Sequence, residues 1–247
     1  MTALSVNVNK IAWLRNARGG NDPDVLWAVQ TCIDAGADGI TVHPRPDLRH
    51  IRPNDVRAIA DAVTVEYNIE GNPFEGAMGD YPGFLSLVRE VRPAQATLVP
   101  DSVDQITSNQ GWRVERNKEQ LERAIGELKN LGCRVSLFMD PDSDEFELVE
   151  KLGADRVELY TEDYAIAYGT VEHEKVLKRY ASAAAKAQEL GLGVNAGHDL
   201  NLDNLAEFLQ IPDVLEVSIG HALTSDALKY GLSNTVRKYI ECMKYGQ

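Results

Sequence analysis

Four of the chain's five histidines closely follow short β-like runs, and acidic and amide residues take the same kind of position. His43 ends the run Ile40–His43, His198 closes VNAGH, His221 closes VSIGH, and His50 lies in the loop after the second run. Glu70 ends Tyr67–Glu70, and Glu158 sits within Val157–Tyr160. Imidazoles gain and lose protons near neutrality, and a carboxylate removed from water becomes a stronger base. Parallel α/β enzymes build their sites where strands end, so these residue types in these places point to acid/base catalysis.

Other groups suit anion binding. Thr41–His50 holds two histidines and two arginines, among them Arg45 and His50, with Pro44 and Pro46 stiffening the turn. In a chain of formal net charge −13 this is a local cationic pocket suited to phosphate. A charge run is ordinarily a solvated loop, but its place after a strand favours function. Asn7 and Asn9 alternate with Val6 and Val8, which puts both amides on one face of the first strand, and Lys10 follows. Arg18 precedes Gly19 and Gly20, a suitable place for an anion clamp. A barrel-bottom polar layer and a solvated arginine explain that segment equally well. Glu158 likewise has two readings, a base in a barrel mouth or an inward salt bridge with an arginine. In Asn195-Ala196-Gly197-His198 and Ile219-Gly220-His221 the glycine lets backbone N–H groups approach an anion, ahead of helix N-termini that favour phosphate.

The elements that must position these groups follow from periodicity. Strand-like runs are Leu4–Val8, Gly39–His43, Val65–Ile69, Ala96–Val99, Arg134–Met139, Arg156–Tyr160, Gly193–Ala196 and Leu215–Ile219. Helical patterns separate them: Pro23–Ala35, Asn54–Ala62, Gly83–Val91, Lys118–Leu131, Asp144–Leu152, Glu174–Leu190 and Leu202–Leu209, with Ser225–Tyr245 last. Glycines at 36, 132, 153 and 191 punctuate helix ends. Eight βα units predict a parallel TIM (β/α)8 barrel, with an open doubly wound sheet as the other architecture. No linker divides residues 1–247, so one domain is expected. The long loops Gly71–Pro82 and Asp101–Asn117 both follow strands and are candidate lids.

Composition narrows the function. The chain is 44% hydrophobic and 26% charged, an ordinary globular balance, and its acidity opposes nucleic acid or anionic membrane as partner. MTALSVNVNK enters a strand pattern without an apolar signal core, so a soluble, cytoplasmic protein is expected. Cys32, Cys133 and Cys242 are far apart and suggest neither disulfides nor zinc. Asp140–Asp144 resembles the opening of a calcium loop, but Glu145 replaces the required glycine; acids opening a helix explain it. His173 opens a helix away from any strand end and reads as a surface histidine. No dinucleotide fingerprint or P-loop occurs.

NKIAxLRNARG at 9–19, AGADGITVH at 35–43, Arg49-His50-Ile51, VSLF at 135–138, VNAGH at 194–198 and IGHA at 219–222 closely resemble the pyridoxine 5′-phosphate synthase family, known as PdxJ. The resemblance runs from Leu4 past Leu223. It implies a barrel with extra helices, a homo-octamer built from dimers, and no metal or redox cofactor. The implied reaction condenses 3-amino-2-oxopropyl phosphate with 1-deoxy-D-xylulose 5-phosphate to pyridoxine 5′-phosphate, phosphate and water. By resemblance His43 and Glu70 accept protons, His198 donates one, and Glu158 stabilises the transition state. Arg45, His50 and Thr107 would contact the deoxyxylulose phosphate; Asn7, Arg18, Gly220 and His221 would contact the amino ketone phosphate. Thr107 comes from the resemblance alone.

Two departures stand out. Many members carry Asp-His, a pair that touches the deoxyxylulose phosphate, where this chain has Asn9-Lys10, and Gly where it has Asp199. Lys10 still offers a cation, whereas Asp199 brings a carboxylate near a phosphate. Two rival readings remain: a sugar-phosphate aldolase or epimerase using Lys10 as a Schiff-base nucleophile, and a non-catalytic binder of phosphate esters. Retention of His43, Glu70 and His198 together argues against the binder.

Overall fold

Each β-like run alternates polar and apolar residues, as in Leu4-Ser5-Val6-Asn7, Tyr67-Asn68-Ile69-Glu70 and Val157-Glu158-Leu159. Successive side chains on a strand face opposite sides, so such runs need an apolar layer on one face and a polar partner on the other. A closed barrel of parallel strands inside a helical shell meets both needs. The computed structural model, which describes residues 1–105 and 107–246, has this form.

The order is β1 (Ala3–Asn7), α1 (Asn9–Asn16), α2 (Val25–Asp34), β2 (Gly39–Val42), α3 (Pro53–Ala62), β3 (Glu66–Gly71), α4 (Phe84–Val91), β4 (Gln95–Leu98), α5 (Lys118–Asn130), β5 (Arg134–Met139), α6 (Phe146–Lys151), β6 (Arg156–Tyr160), α7 (Glu162–Ala167), α8 (His173–Glu189), β7 (Gly193–Gly197), α9 (Leu205–Phe208), β8 (Val214–Ile219), α10 (His221–Tyr230) and α11 (Leu232–Lys244). Each strand pairs in parallel with the next, and β8 closes on β1 with Leu4 opposite Val217. The barrel expectation holds, and the open sheet is set aside. Among the described residues no helix is long and apolar enough to cross a membrane.

The outward strand residues Val6, Ile40, Ile69, Leu98, Leu137, Leu159, Ala196 and Val217 join one buried apolar cluster with the helices. Full burial of one such side chain contributes roughly 1.5–3 kcal/mol. The inward residues form a polar core in which partners satisfy one another. Ser5 and Thr41 hydroxyls lie 2.7 Å apart, Asn68 donates to Thr41 at 3.2 Å, and Thr97 donates to Asn68 at 3.1 Å. Toward the amino ends of the strands, buried Glu216 accepts from Arg156 at 3.2 Å and from Gln95 and Asn195 at 3.3 Å. That end is thereby plugged, and the opposite end stays open for chemistry.

Three local expectations change. The chain turns at Val8, whose carbonyl accepts from Ile11 and Ala12, so Asn9 opens α1 and does not share the face of β1 with Asn7. The helix expected over 225–245 begins at His221 and breaks at Gly231, where a φ of 76° serves the turn between α10 and α11. His173 does open α8 but is half-buried, tilted against Tyr164, edge-on to Tyr168 and 2.9 Å from Glu207. Helix periodicity failed to reveal α1 and α7 because both are short and mix polar with apolar residues.

Both long loops are anchored. Trp112 donates to the Leu98 carbonyl at 2.8 Å and packs edge-on against Phe74, tying the loop after β4 to the loop after β3. Ile106 lies outside the described residues.

Candidate active site

At the carboxyl ends of the strands lies a cavity of about 450 Å3. From successive strand ends it receives Asn7, His43, Glu70, Phe138, Glu158, His198 and Gly220. Its volume suits small-molecule substrates. Val99, Phe138 and Tyr160 form a small apolar cluster beside it.

His43 and Glu70 end neighbouring strands β2 and β3, and both are buried. Burial, reinforced by the Arg45 and Arg49 guanidinium groups, pushes the His43 imidazole down to about 3, so it is neutral at pH 7. Burial also raises the Glu70 carboxyl, helped by the charges of Asp101 and Glu216, while a 3.3 Å hydrogen bond from Asn7 opposes the rise. Glu158 is raised well above the ordinary range by burial first and then by Glu70 and Glu216. Its Oε2 is buried without a hydrogen-bond partner among the described residues, and the arginine of β6, Arg156, pairs with Glu216. The salt-bridge reading of Glu158 is therefore not the one the structure takes. A Cβ at position 197 would collide with the Glu158 carboxylate, which explains glycine there.

The amides organise the wall. Asn7 accepts from the Asn9 backbone at 3.0 Å, and Asn9 accepts from the His43 backbone at 2.9 Å. Asn9 thus serves His43 through its carbonyl oxygen, a contact that an aspartate could also make. Lys10 lines the cavity with its ammonium 4.3 Å from the Trp13 ring centre, its pKa lowered by burial and by Arg49.

The cationic segment is more committed than its composition suggests. Arg45 donates to Asp101 at 2.8 Å and to the carbonyls of Ser102 and Gln105, and its buried Nε has no hydrogen-bond partner among the described residues. His50 Nδ1 accepts from the Ile51 backbone at 3.0 Å, so the ring proton sits on Nε2. Burial, with His43, Arg45 and Lys10 nearby, pushes His50 down to about 2, which makes it a neutral donor lining the cavity.

His198 has a backbone φ of 85° and Asp199 of 60°. Side chains seldom adopt this region, although aspartate tolerates it better than most. His198 lies 3.0 Å from Asp199 through Nδ1 and 2.9 Å from Thr107 through Nε2. Gly220 caps α10 at its N-terminus, and a Cβ there would press on Asn7 at 3.1 Å. His221, the first residue of α10, is exposed at the cavity rim.

A model of the family described as pyridoxal phosphate biosynthesis protein PdxJ matches residues 4–245. The chain belongs to the PdxJ family. The pyridoxine 5′-phosphate synthase of Xanthomonas axonopodis pv. citri is 54% identical over 250 residues, covering 99% of this chain and 98% of that protein. The enzyme of the same name from Porphyromonas gingivalis is 54% identical over 240 residues, covering 97% and 98%. Among solved structures, one described as native KDPGal aligns with a TM-score of 0.61 at 12% identity over 98% of this chain and 95% of that one. A phosphoribosylanthranilate isomerase of Thermotoga maritima aligns with a TM-score of 0.56 at 12% identity, covering 99% of each chain. These two likenesses concern the fold alone.

Of the residues expected from the sequence, this PdxJ chain brings all but one to the cavity: Asn7, Asn9, Lys10, His43, Arg45, His50, Glu70, Thr107, Glu158, His198, Asp199, Gly220 and His221. Arg18 stands exposed on the turn after α1 and does not line it. The loop after β4 reaches the cavity through Thr107 and Ser108, whereas the loop after β3 contributes no lining residue. Sequence reasoning missed three supports. Asp101 grips Arg45 and accepts from Ser108; it follows a strand end, so the rule that selected Glu70 could have found it. Thr161 donates to the carbonyls of Gly197 and His198, and Arg15 pairs with Asp55 at 2.6 Å while donating to the His50 carbonyl. Neither carries a local sequence signal. Among the described residues no cluster of three or more His, Cys, Asp or Glu could hold a metal ion.

Proposed function

We propose that this chain is a pyridoxine 5′-phosphate synthase, joining 3-amino-2-oxopropyl phosphate to 1-deoxy-D-xylulose 5-phosphate. One observation carries the reading: a neutral histidine, two carboxyls of raised pKa and a second histidine converge on a single cavity in a chain of the PdxJ family. Ring closure requires an amine to add to a ketone, C–H protons to be removed, and water and phosphate to leave. Those steps need proton acceptors, proton donors and two anion sites.

In this reading His43 and Glu70 accept protons, and His198 donates one to a departing oxygen. Glu158 faces cationic character that develops as the amine condenses. His50, with Nε2–H directed by its Nδ1 bond, contacts the deoxyxylulose phosphate with Arg45, Thr107 and Lys10. Asn7, Gly220, His221 and the N-terminus of α10 receive the amino ketone phosphate. Arg18 would join that site from the exposed turn. The resemblance further supports a cytoplasmic homo-octamer, which light scattering checks; exposed Trp13, Leu14 and Trp27 offer apolar surface for assembly.

The deciding experiment mixes both phosphates with purified protein and looks for pyridoxine 5′-phosphate and released phosphate. The aldolase alternative draws on the lowered Lys10 amine at the cavity. Borohydride added with either substrate alone should leave Lys10 unmodified, and a reduced adduct on Lys10 would favour the aldolase.

A further inference from the structure

We propose that Asp199 is a positioning residue whose carboxylate holds the His198 ring in the Nδ1–H tautomer, leaving Nε2 as the atom that passes a proton to substrate. The inference rests on the assignment of His198 as proton donor under Proposed function and deepens it.

The geometry is built by the fold. The Nδ1–Oδ2 distance is 3.0 Å between consecutive residues, a contact made with both backbones at positive φ. That turn is held from two sides. Thr161 donates through its hydroxyl to the carbonyls of Gly197 and His198, and Asn204 donates to the Asp199 carbonyl at 3.2 Å. Tyr160 meets the His198 ring edge-to-face with centroids 5.1 Å apart, so the imidazole plane is fixed as well. Unusual backbone angles persist where the surroundings over-determine them.

An ionised carboxylate only accepts hydrogen bonds, so Nδ1 must carry the hydrogen it receives. The hydrogen bond to His198 is also the main reason that the Asp199 carboxyl is held below its usual value, with His221 and Lys10 adding to it. Nε2 lies 2.9 Å from the Thr107 hydroxyl, on the cavity side. In the proton step Nε2 first takes up a proton from solvent to give the imidazolium; the Nε2–H bond then breaks, the proton forms an O–H bond with the departing oxygen, and the imidazole returns to its neutral form with hydrogen on Nδ1. Other charged or titratable groups around the dyad are Lys10 from α1, His221 at the start of α10, and Tyr160 and Glu162 from β6 and α7.

Nitrogen-15 spectra of histidine-labelled protein, with His198 assigned by its loss in His198→Asn, report the tautomer without substrate. The wild type should show Nδ1–H. Asp199→Asn, which keeps shape and tolerance of positive φ, should give a mixed tautomer, and Asp199→Gly, which relieves the backbone, should do the same. Both should lower kcat at least about tenfold, the loss expected for a charged hydrogen bond, with KM for each substrate within about twofold. An unchanged tautomer in both variants, or a change confined to one substrate's KM, overturns the proposal. If wild-type protein makes no pyridoxine 5′-phosphate while the tautomer still depends on Asp199, the functional reading fails and the positioning role stands.

Discussion

Nδ1 of His43 lies 3.9 Å from Oε2 of Glu70, both buried at the ends of adjacent strands. Burial acts on the two in opposite senses. It keeps the imidazole unprotonated and makes the carboxyl hold its proton to higher pH, because each sheds charge on leaving water. Glu70 thus ionises only near pH 8, and its ionised fraction is a stronger base than an ordinary carboxylate, while His43 stays neutral beside it.

Glu70→Gln should retain binding of both substrates and lose turnover by about 10²- to 10⁴-fold, the scale of general base catalysis. Steady-state kinetics with each substrate varied separately checks this, and wild-type kcat would remove Glu70 from the mechanism. Stability should move the other way. A carboxyl with a raised folded pKa contributes most below its unfolded value of 4.5, and that contribution is lost as pH rises toward the folded value. Urea titrations should find the Gln variant increasingly favoured over wild type from pH 5 to pH 8.

His43 and His50 make the opposite pH prediction. Their folded pKa values, about 3 and about 2, lie below the ordinary 6.5. Stability from them is present above 6.5 and drains as pH falls toward the folded values, by up to about 1.4 kcal/mol per pH unit for each group. His43→Gln should flatten the acid limb of the stability curve between pH 6 and pH 4. An unaltered slope would mean that His43 is not held neutral by burial.

His198→Asn should slow the chemical steps and let an intermediate accumulate in single-turnover absorbance traces. A change in KM alone would make His198 a binding residue.

Arg18 and Arg45 should behave differently for structural reasons. Arg45 forms a buried pair with Asp101, so Arg45→Ala leaves a carboxylate with too few partners and should cost about 3–5 kcal/mol in denaturant titration. It should also raise KM for deoxyxylulose phosphate. Arg18 is exposed, and Arg18→Ala should change stability by less than about 0.5 kcal/mol while raising KM for the amino ketone about ten- to a hundredfold. Equal weakening of both substrates by either variant contradicts the two-site map.

Much of this was legible before any coordinates, because strand period and strand-end position are local properties. Alternation placed all eight strands to within two residues, and residues at their carboxyl ends, from His43 to Gly220, meet in one cavity because parallel strands in a closed barrel all end on the same side. Tertiary structure alone decided how those residues are bonded. Asn9 left the face of β1 because the chain turns at Val8, and Arg45 proved to be engaged by Asp101, a residue 56 positions away. Ion pairs, desolvation and the tautomers of His50 and His198 depend on which groups long-range folding brings within hydrogen-bond reach. The sequence determined which chemical groups ring the mouth of the barrel, and the packing determined their partners, their protonation and which of their atoms face the cavity.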